Sequence, residues 1–150
     1  MVAISYGKGV VLCEQYDGTI TGPKFAEIVK SFPKAFNKSS SPKARRFLMD
    51  GCPRQNSKVA MRAIDKVNTL VLKIPPRSPD LNPIENLFHT LTVRLNNDAF
   101  QNNITKETFK ELSSRVKETI LSVSSEEIDK IIDSMDKRIT AVLKGKGQRT

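Results

Sequence analysis

The chain has 150 residues, 38% hydrophobic and 27% charged, with 25 Lys plus Arg against 16 Asp plus Glu for a net charge of +9. This length sets one domain as the prior, and seven Gly and eight Pro exclude a low-complexity or collagen-like chain. No run of eighteen apolar residues occurs, which excludes a membrane-spanning helix; two Cys exclude a disulfide framework, and a single His excludes any site built on two imidazoles.

After Met1, the stretch VAISYGKGVVL lacks a basic start, a long apolar core and a small-residue cleavage site, so secretion is not expected. Cys13 and Cys52 form no CxxC pair and read as reduced thiols. VAIS and GVVLCEQY are β-branched and apolar and predict two strands joined by YGKG, with Asp17-Gly18 ending the second. Thr21-Gly22-Pro23 starts a helix with Phe25, Ile28, Val29 and Phe32 on one face, which Pro33 kinks or ends. NKSSSPKARR is a polar loop with a basic end.

RFLMD predicts a short strand stopping at Asp50-Gly51, and a helix of about a dozen residues follows from Ser57. TLVLKI, almost continuously apolar, predicts a buried parallel strand. PPRSPDLNP is a stiff loop with four prolines, and a helix begins near Pro83 with Asn82 as N-cap and Glu85 at capping-box spacing. Thr105 is a candidate cap for a helix carrying Phe109, Leu112, Val116 and Ile120. Ser124 and Glu127 form a second capping-box pattern, ahead of an apolar stripe from Ile128 through Ile131, Met135 and Ile139 to Val142 that reads as core packing. The order ββα–βα–βα–α–α is an α/β domain with a helical C-terminal end.

Charge is unevenly spread. Residues 1–46 hold eight basic and three acidic groups, residues 47–136 twelve and thirteen, and residues 137–150 five and none. Two basic ends flank a neutral middle. That distribution fits a polyanion such as nucleic acid, and fits equally a solvated basic surface.

Two carboxylates stand out by position. Asp50 ends a predicted strand, where α/β folds open their ligand crevice, and Glu85 opens the helix after the next strand. A hard cation such as Mg²⁺ takes oxygen ligands of this kind. Each residue also has a plain reading: Asp50 as a turn residue bonded to its own backbone, Glu85 as the N3 residue of a capping box. His89, four residues after Glu85, reads either as a contact to nucleic acid or Glu85, or as a partly buried helix residue.

The stretch IPPRSPDLNPIENLF at residues 74–88 resembles the signature of the Tc/mariner superfamily of DDE transposases, whose proline-rich loop delivers a catalytic Glu. FLMDGCPRQNS at residues 47–57 resembles the family's second-Asp motif, and 34 residues separate Asp50 from Glu85, as in the Tc branch. The opening GKGVVLCEQYDGTITGPKFAEIV and the ending SMDKRITAVLKGKGQRT are similar to family segments too, so the resemblance covers nearly the whole chain.

The resemblance implies a ribonuclease H-like fold of the integrase/transposase type: a mixed sheet with helices, truncated at the N-terminus, with a helical C-terminal end. It implies one partial catalytic domain over 1–150, with the sheet and catalytic helix in 1–104 and C-terminal helices and a basic tail in 105–150. Asp50 and Glu85 map onto the second catalytic Asp and the catalytic Glu, ligands for Mg²⁺ or Mn²⁺, and Asn82 and Pro83 onto the loop that places Glu85. Arg45, Arg46, Lys73 and Arg77, expected to flank the carboxylate crevice, are candidate DNA contacts. So are Lys137, Arg138, Lys144, Lys146 and Arg149 in the tail.

The expected activity is metal-dependent DNA cleavage and strand transfer, and the expected partners are DNA and full-length transposase subunits, with no membrane and no small-molecule substrate. The expected location is the nucleus, reached from the cytosol. Two departures matter. Gly51, Cys52 and Gln55 stand where the family often has Asn, Ala and His. The family's first Asp lies on a strand expected between those of residues 2–5 and 46–50, and the chain begins at the next one. Asp17 and Glu14 are not expected to replace that Asp, so the chain alone is expected to be inactive. The alternative is a non-catalytic, transposase-derived protein that binds DNA or transposase subunits.

Overall fold

The computed structural model describes residues 1–33, 46–67 and 70–145. The stretch expected as the NKSSSPKARR loop lies outside them up to Arg45, as do Lys146 and Arg149. The elements follow the expected order. Strands β1 (Val2–Ser5) and β2 (Gly9–Cys13) precede helix α1 (Gly22–Val29). Strand β3 (Arg46–Met49), helix α2 (Lys58–Lys66) and strand β4 (Leu70–Lys73) follow. A 3-10 turn (Pro79–Leu81) leads into helices α3 (Pro83–Gln101), α4 (Phe109–Leu121) and α5 (Ser125–Lys144).

β1 and β2 pair antiparallel, with Ala3 opposite Leu12 and Ile4 opposite Val10, so Val11 is an extra residue in a bulge. The bulge resets the two-residue alternation. Val11 and Leu12 both reach the core with α1 and α2, while Val10 and Cys13 both reach the core with α3 to α5. The hairpin therefore carries helices on both faces. Gly9, at φ +70, closes its turn against α5, where an added Cβ would sit 3.4 Å from the Ser125 backbone. The Gly7 N–H donates to Asp129 on the same helix at 2.7 Å.

β3 and β4 pair in parallel, Phe47 with Val71 and Met49 with Lys73. Their inner face, Phe47, Met49 and Val71, joins the first core beneath Phe25, Val29, Ala60 and Ile64. Phe32 packs there edge-on to Phe25 and 4.8 Å from the ring centre of Phe47. The other face departs from expectation. β4 reads as a strand buried on both sides, yet Leu70 is 60% exposed, and Leu48 and Leu72 are each 41% exposed. The C-terminal helices pack on the β1–β2 hairpin, so among the described residues these three leucines of β3 and β4 stay open to solvent.

The sheet is not continuous. The strands form two separate pairs, β1–β2 and β3–β4, with no ladder between β1 and β3. Each of these two strands keeps one edge without a ladder partner among the described residues. This is the interruption that the resemblance places between residues 2–5 and 46–50.

The second core holds Leu87 and Leu91 of α3, Ile120 of α4, Val123, and Ile128 of α5. Val116, Ile131 and Ile132 pack against it. The expected stripes are only partly buried. Phe109 is 73% exposed, and Leu112 and Ile139 also face outward. Thr108, not Thr105, caps α4, so Phe109 opens the helix; Ile120 is its buried residue, with Val116 packed against the same core. α1 ends at Val29, before Pro33 is reached. Arg115 fastens α4 to α3, donating to the Leu95 carbonyl at 2.9 Å and to Asp98 at 3.2 Å.

Two reciprocal capping boxes, Thr108 with Glu111 and Ser124 with Glu127, start the last two helices. The backbone N–H of Thr108, then its hydroxyl, hold the Glu111 carboxyl below its ordinary value. A carboxyl with a depressed folded pKa contributes stability that is present above its unfolded value and lost as pH falls through the acid range. Thr108→Ala, which removes the cap hydroxyl, is therefore expected to lower Tm by about 3 °C at neutral pH and to make the acid-side loss of stability shallower. Thermal melts of both proteins from pH 7 to pH 3 check this. An unchanged acid slope would show that the Glu111 pairing does not persist in solution.

Candidate functional site

The site is built from a strand end, a proline loop and a helix start. β3 stops at Met49, and Asp50 follows at its C-terminal end. The Asp50 Oδ1 accepts the Cys52 backbone N–H at 3.2 Å, so the turn-residue reading holds. The Cys52 carbonyl then accepts from the Gln55 and Asn56 N–H groups, both at 3.1 Å, and Ser57 caps α2. Among the described residues nothing lies within 4 Å of where a Gly51 side chain would begin.

From β4 the chain turns through the proline loop. The Ile74 N–H donates to the Met49 carbonyl at 3.1 Å, tying the start of the loop to the strand that ends in Asp50. Arg77 stands at φ +60, a conformation rare for a residue with a side chain. It directly follows Pro76 in the turn that leads from β4 to the 3-10 turn.

Asn82 is the N-cap of α3, its Oδ1 accepting the Ile84 N–H at 3.4 Å, with Pro83 in the first turn. The Asn82 N–H goes to the Pro79 carbonyl at 3.0 Å, not to the Glu85 side chain, so Glu85 is not spent on a capping box. Its exposed carboxylate stands in the first turn of a 19-residue helix, where the macrodipole favours negative charge.

Asp50 and Glu85 line one cavity of about 300 Å³, together with Gly51, Cys52, Asn82 and the 74–79 loop. Two carboxylates and an amide on one open cavity suit a hard cation, which takes oxygen donors and keeps several waters. Among the described residues no group of three or more acidic, His or Cys side chains could hold a metal, so two carboxylates are the donor set. Asp17 is exposed in the loop after β2, where its carbonyl accepts the Lys24 ammonium at 2.6 Å.

The structure sorts the basic candidates. Arg77 lines the cavity. Lys73 is exposed at the end of β4, opposite Met49. Arg46 does not flank the crevice: it begins β3, three residues and about 10 Å from the end that carries Asp50. Lys137 and Lys144 are exposed on α5, while Arg138 is half-buried and donates to the Asp80 carbonyl. Arg45, Lys146 and Arg149 lie outside the described residues. His89 is exposed, against the partly buried reading. Cys52 and Ser78, which fall within the two quoted motifs but were not named as site residues, also line the cavity.

No helix of the described residues is long and apolar enough to cross a membrane. The family model described as DDE superfamily endonuclease matches residues 1–122. The transposable element Tc1 transposase of Caenorhabditis elegans is 35% identical over 104 residues, 69% of this chain; the match spans about a third, 36%, of that relative. The fold is similar to the Mos1 transposase catalytic domain, solved with raltegravir and either Mn or Mg. The TM-score is 0.80 at 17% identity, covering 95% of this chain and 72% of that one. The Mos1 mariner paired end complex with Mn gives 0.79 at 18% identity, covering 95% of this chain and 42% of that one. The mixed strands and helices are thus those of the ribonuclease H-like transposase catalytic fold.

Proposed function

Because the chain belongs to the DDE superfamily endonucleases of the Tc/mariner type, we propose that it serves as part of a transposase catalytic domain. With a further carboxylate from an upstream strand, that domain cleaves and rejoins transposon DNA in the nucleus. The observation that carries this reading is the single cavity that joins Asp50, from a strand end, to Glu85, from a helix start, across 34 intervening residues.

Each residue has a part. Asp50 keeps Oδ1 on the Cys52 N–H, so its orientation is fixed while its second oxygen can take a cation. Glu85 offers its carboxylate from the first turn of α3, on the wall of the same cavity. Asn82 and Pro83 set where that start lies. Asp50 and Glu85 would hold Mg²⁺ or Mn²⁺, which would supply charge to stabilise the attacking and leaving oxygens of a phosphodiester. Arg77, at the wall of the cavity, can hold a phosphate, and Lys73 at the neighbouring strand end can hold the next.

The Mos1 relatives are solved as paired-end complexes, one with left transposon end, and as a strand transfer complex. Transposon-end DNA and further transposase subunits are the partners proposed here. The DNA half of the proposal is tested by salt dependence. The +9 chain is expected to bind duplex DNA weakly and without sequence preference, with affinity falling steeply as salt rises. Changing Lys137, Lys144, Lys146 and Arg149 to Gln should flatten the log–log slope by up to about 0.9 per lost phosphate contact. An unchanged slope would place the contacts elsewhere, and no binding at low salt would remove DNA as a partner of this chain.

A further inference from the structure

We propose that Arg138 is a positioning residue for Glu85, acting through the 3-10 turn that precedes α3. This rests on the reading of Asp50 and Glu85 as a cation site. It reassigns a side chain that charge alone marks as a contact to DNA.

The turn Pro79–Leu81 has three carbonyls to place near its start. The Ser78 carbonyl accepts the Leu81 N–H at 3.1 Å, and the Pro79 carbonyl accepts the Asn82 N–H at 3.0 Å. The Asp80 carbonyl is reached by Arg138, whose Nη1 donates to it at 3.4 Å from 58 residues away. The Asp80 Oδ1 is buried without a hydrogen-bond partner, so among the described residues the bond from Arg138 to the Asp80 carbonyl is the hydrogen bond that ties this residue to α5.

The place of Arg138 in α5 is also unlike that of its neighbours. Asp136, Lys137, Ile139 and Thr140 are exposed, whereas Arg138 is half-buried. α5 itself is anchored at its other end by the fully buried Ile128. The helix thus holds the turn from a fixed base. Any shift of the turn passes directly to Glu85: Asn82 ends the turn, caps α3, and accepts the Glu85 N–H at 3.1 Å. Without Arg138, Asp50 stays in place on its own turn while Glu85 gains freedom, and the two carboxylates no longer hold one geometry.

The test compares the full chain with Arg138→Met, which keeps the apolar stem and removes the donors, and with Arg138→Lys, which keeps one charge and a donor. Amide hydrogen exchange is followed at Leu81 and Asn82, and Mn²⁺-induced line broadening at Asp50 and Glu85. In Arg138→Met, exchange at Leu81 and Asn82 should quicken about tenfold, the expected loss for one charge-assisted bond, with Ile128 to Ile132 unchanged. Broadening at Glu85 should weaken relative to Asp50, and Arg138→Lys should recover part of both effects. Unchanged exchange at Leu81 and Asn82, or equal loosening of the whole of α5, would overturn the proposal. Absence of Mn²⁺ broadening at both carboxylates in the unmodified chain would instead overturn the cation-site reading, and exchange would still decide the role of Arg138.

Discussion

Incubated with supercoiled DNA and Mg²⁺ or Mn²⁺, the 150-residue chain is expected to leave the DNA uncut. The cavity places two carboxylates, Asp50 and Glu85; Cys52 also lines it, but among the described residues no group of three or more acidic, His or Cys side chains could hold a metal. In-line displacement at a phosphodiester uses two ions, one on the attacking oxygen and one on the leaving oxygen. Two side chains can seat one hard cation with water and phosphate, but they leave the second ion without protein ligands. Losing several kcal/mol of charge stabilisation at the transition state slows a reaction by about 10³ or more, since each 1.36 kcal/mol is tenfold.

In a longer protein that adds an upstream strand bearing an Asp, cleavage should appear. There, Asp50→Ala and Glu85→Ala should each reduce it by a factor of about 10³. A nicking assay on both forms makes the comparison. Nicking by the 150-residue chain that vanishes in Asp50→Ala and in Glu85→Ala would show that another group completes the site.

What the sequence made legible is what depends on short-range chemistry. Asn82, Pro83 and Glu85 form a helix start whose parts lie within four residues, and the structure has that start with Asn82 as the cap. Ser124 and Glu127 behave the same way. The element order follows from runs and punctuation of similarly local reach. What was not legible depends on which layer packs on which strand. TLVLKI has the apolar content of a strand covered on both faces, but α3 to α5 cover the β1–β2 hairpin instead, and Leu70 and Leu72 stay exposed. Thr105 and Thr108 are equally plausible caps by residue type, and only Glu111, three residues after Thr108, separates them.

The candidate site divides along the same line. Asp50 and Glu85 were marked by position at element ends. Arg138 was marked by charge alone, and its bond to Asp80 spans 58 residues, beyond any pattern in the chain. Arg46 shows the converse: adjacent in sequence to the Asp50 strand, it sits at the strand's far end because β3 is extended.

The interrupted sheet leads to the last expected result: a peptide with the alternation of a buried strand should stabilise this chain when it fills the break. Among the described residues β1 pairs only with β2 and β3 only with β4, yet Ala3, Leu12, Phe47 and Met49 share one core under α1 and α2. Free edges of this kind expose unpaired N–H and C=O groups and accept a further strand readily. A strand seated there would satisfy both edges and carry apolar side chains to the two faces. A ligand at about 100 times its Kd stabilises the folded state by about 2.7 kcal/mol, which for a chain of this size raises Tm by about 8 °C. The same peptide with its polar and apolar positions exchanged puts the wrong face to each core and should give none of this rise. Hydrogen exchange supplies the second readout, with amides of residues 2–5 and 46–49 gaining protection together on addition of the peptide. Strong protection of both segments before any peptide is added, in a soluble monomer, would mean that β1 and β3 have found each other in solution and that the break is closed. A melting curve indifferent to both peptides would mean that the helices hold the two pairs of strands too rigidly to admit a fifth strand.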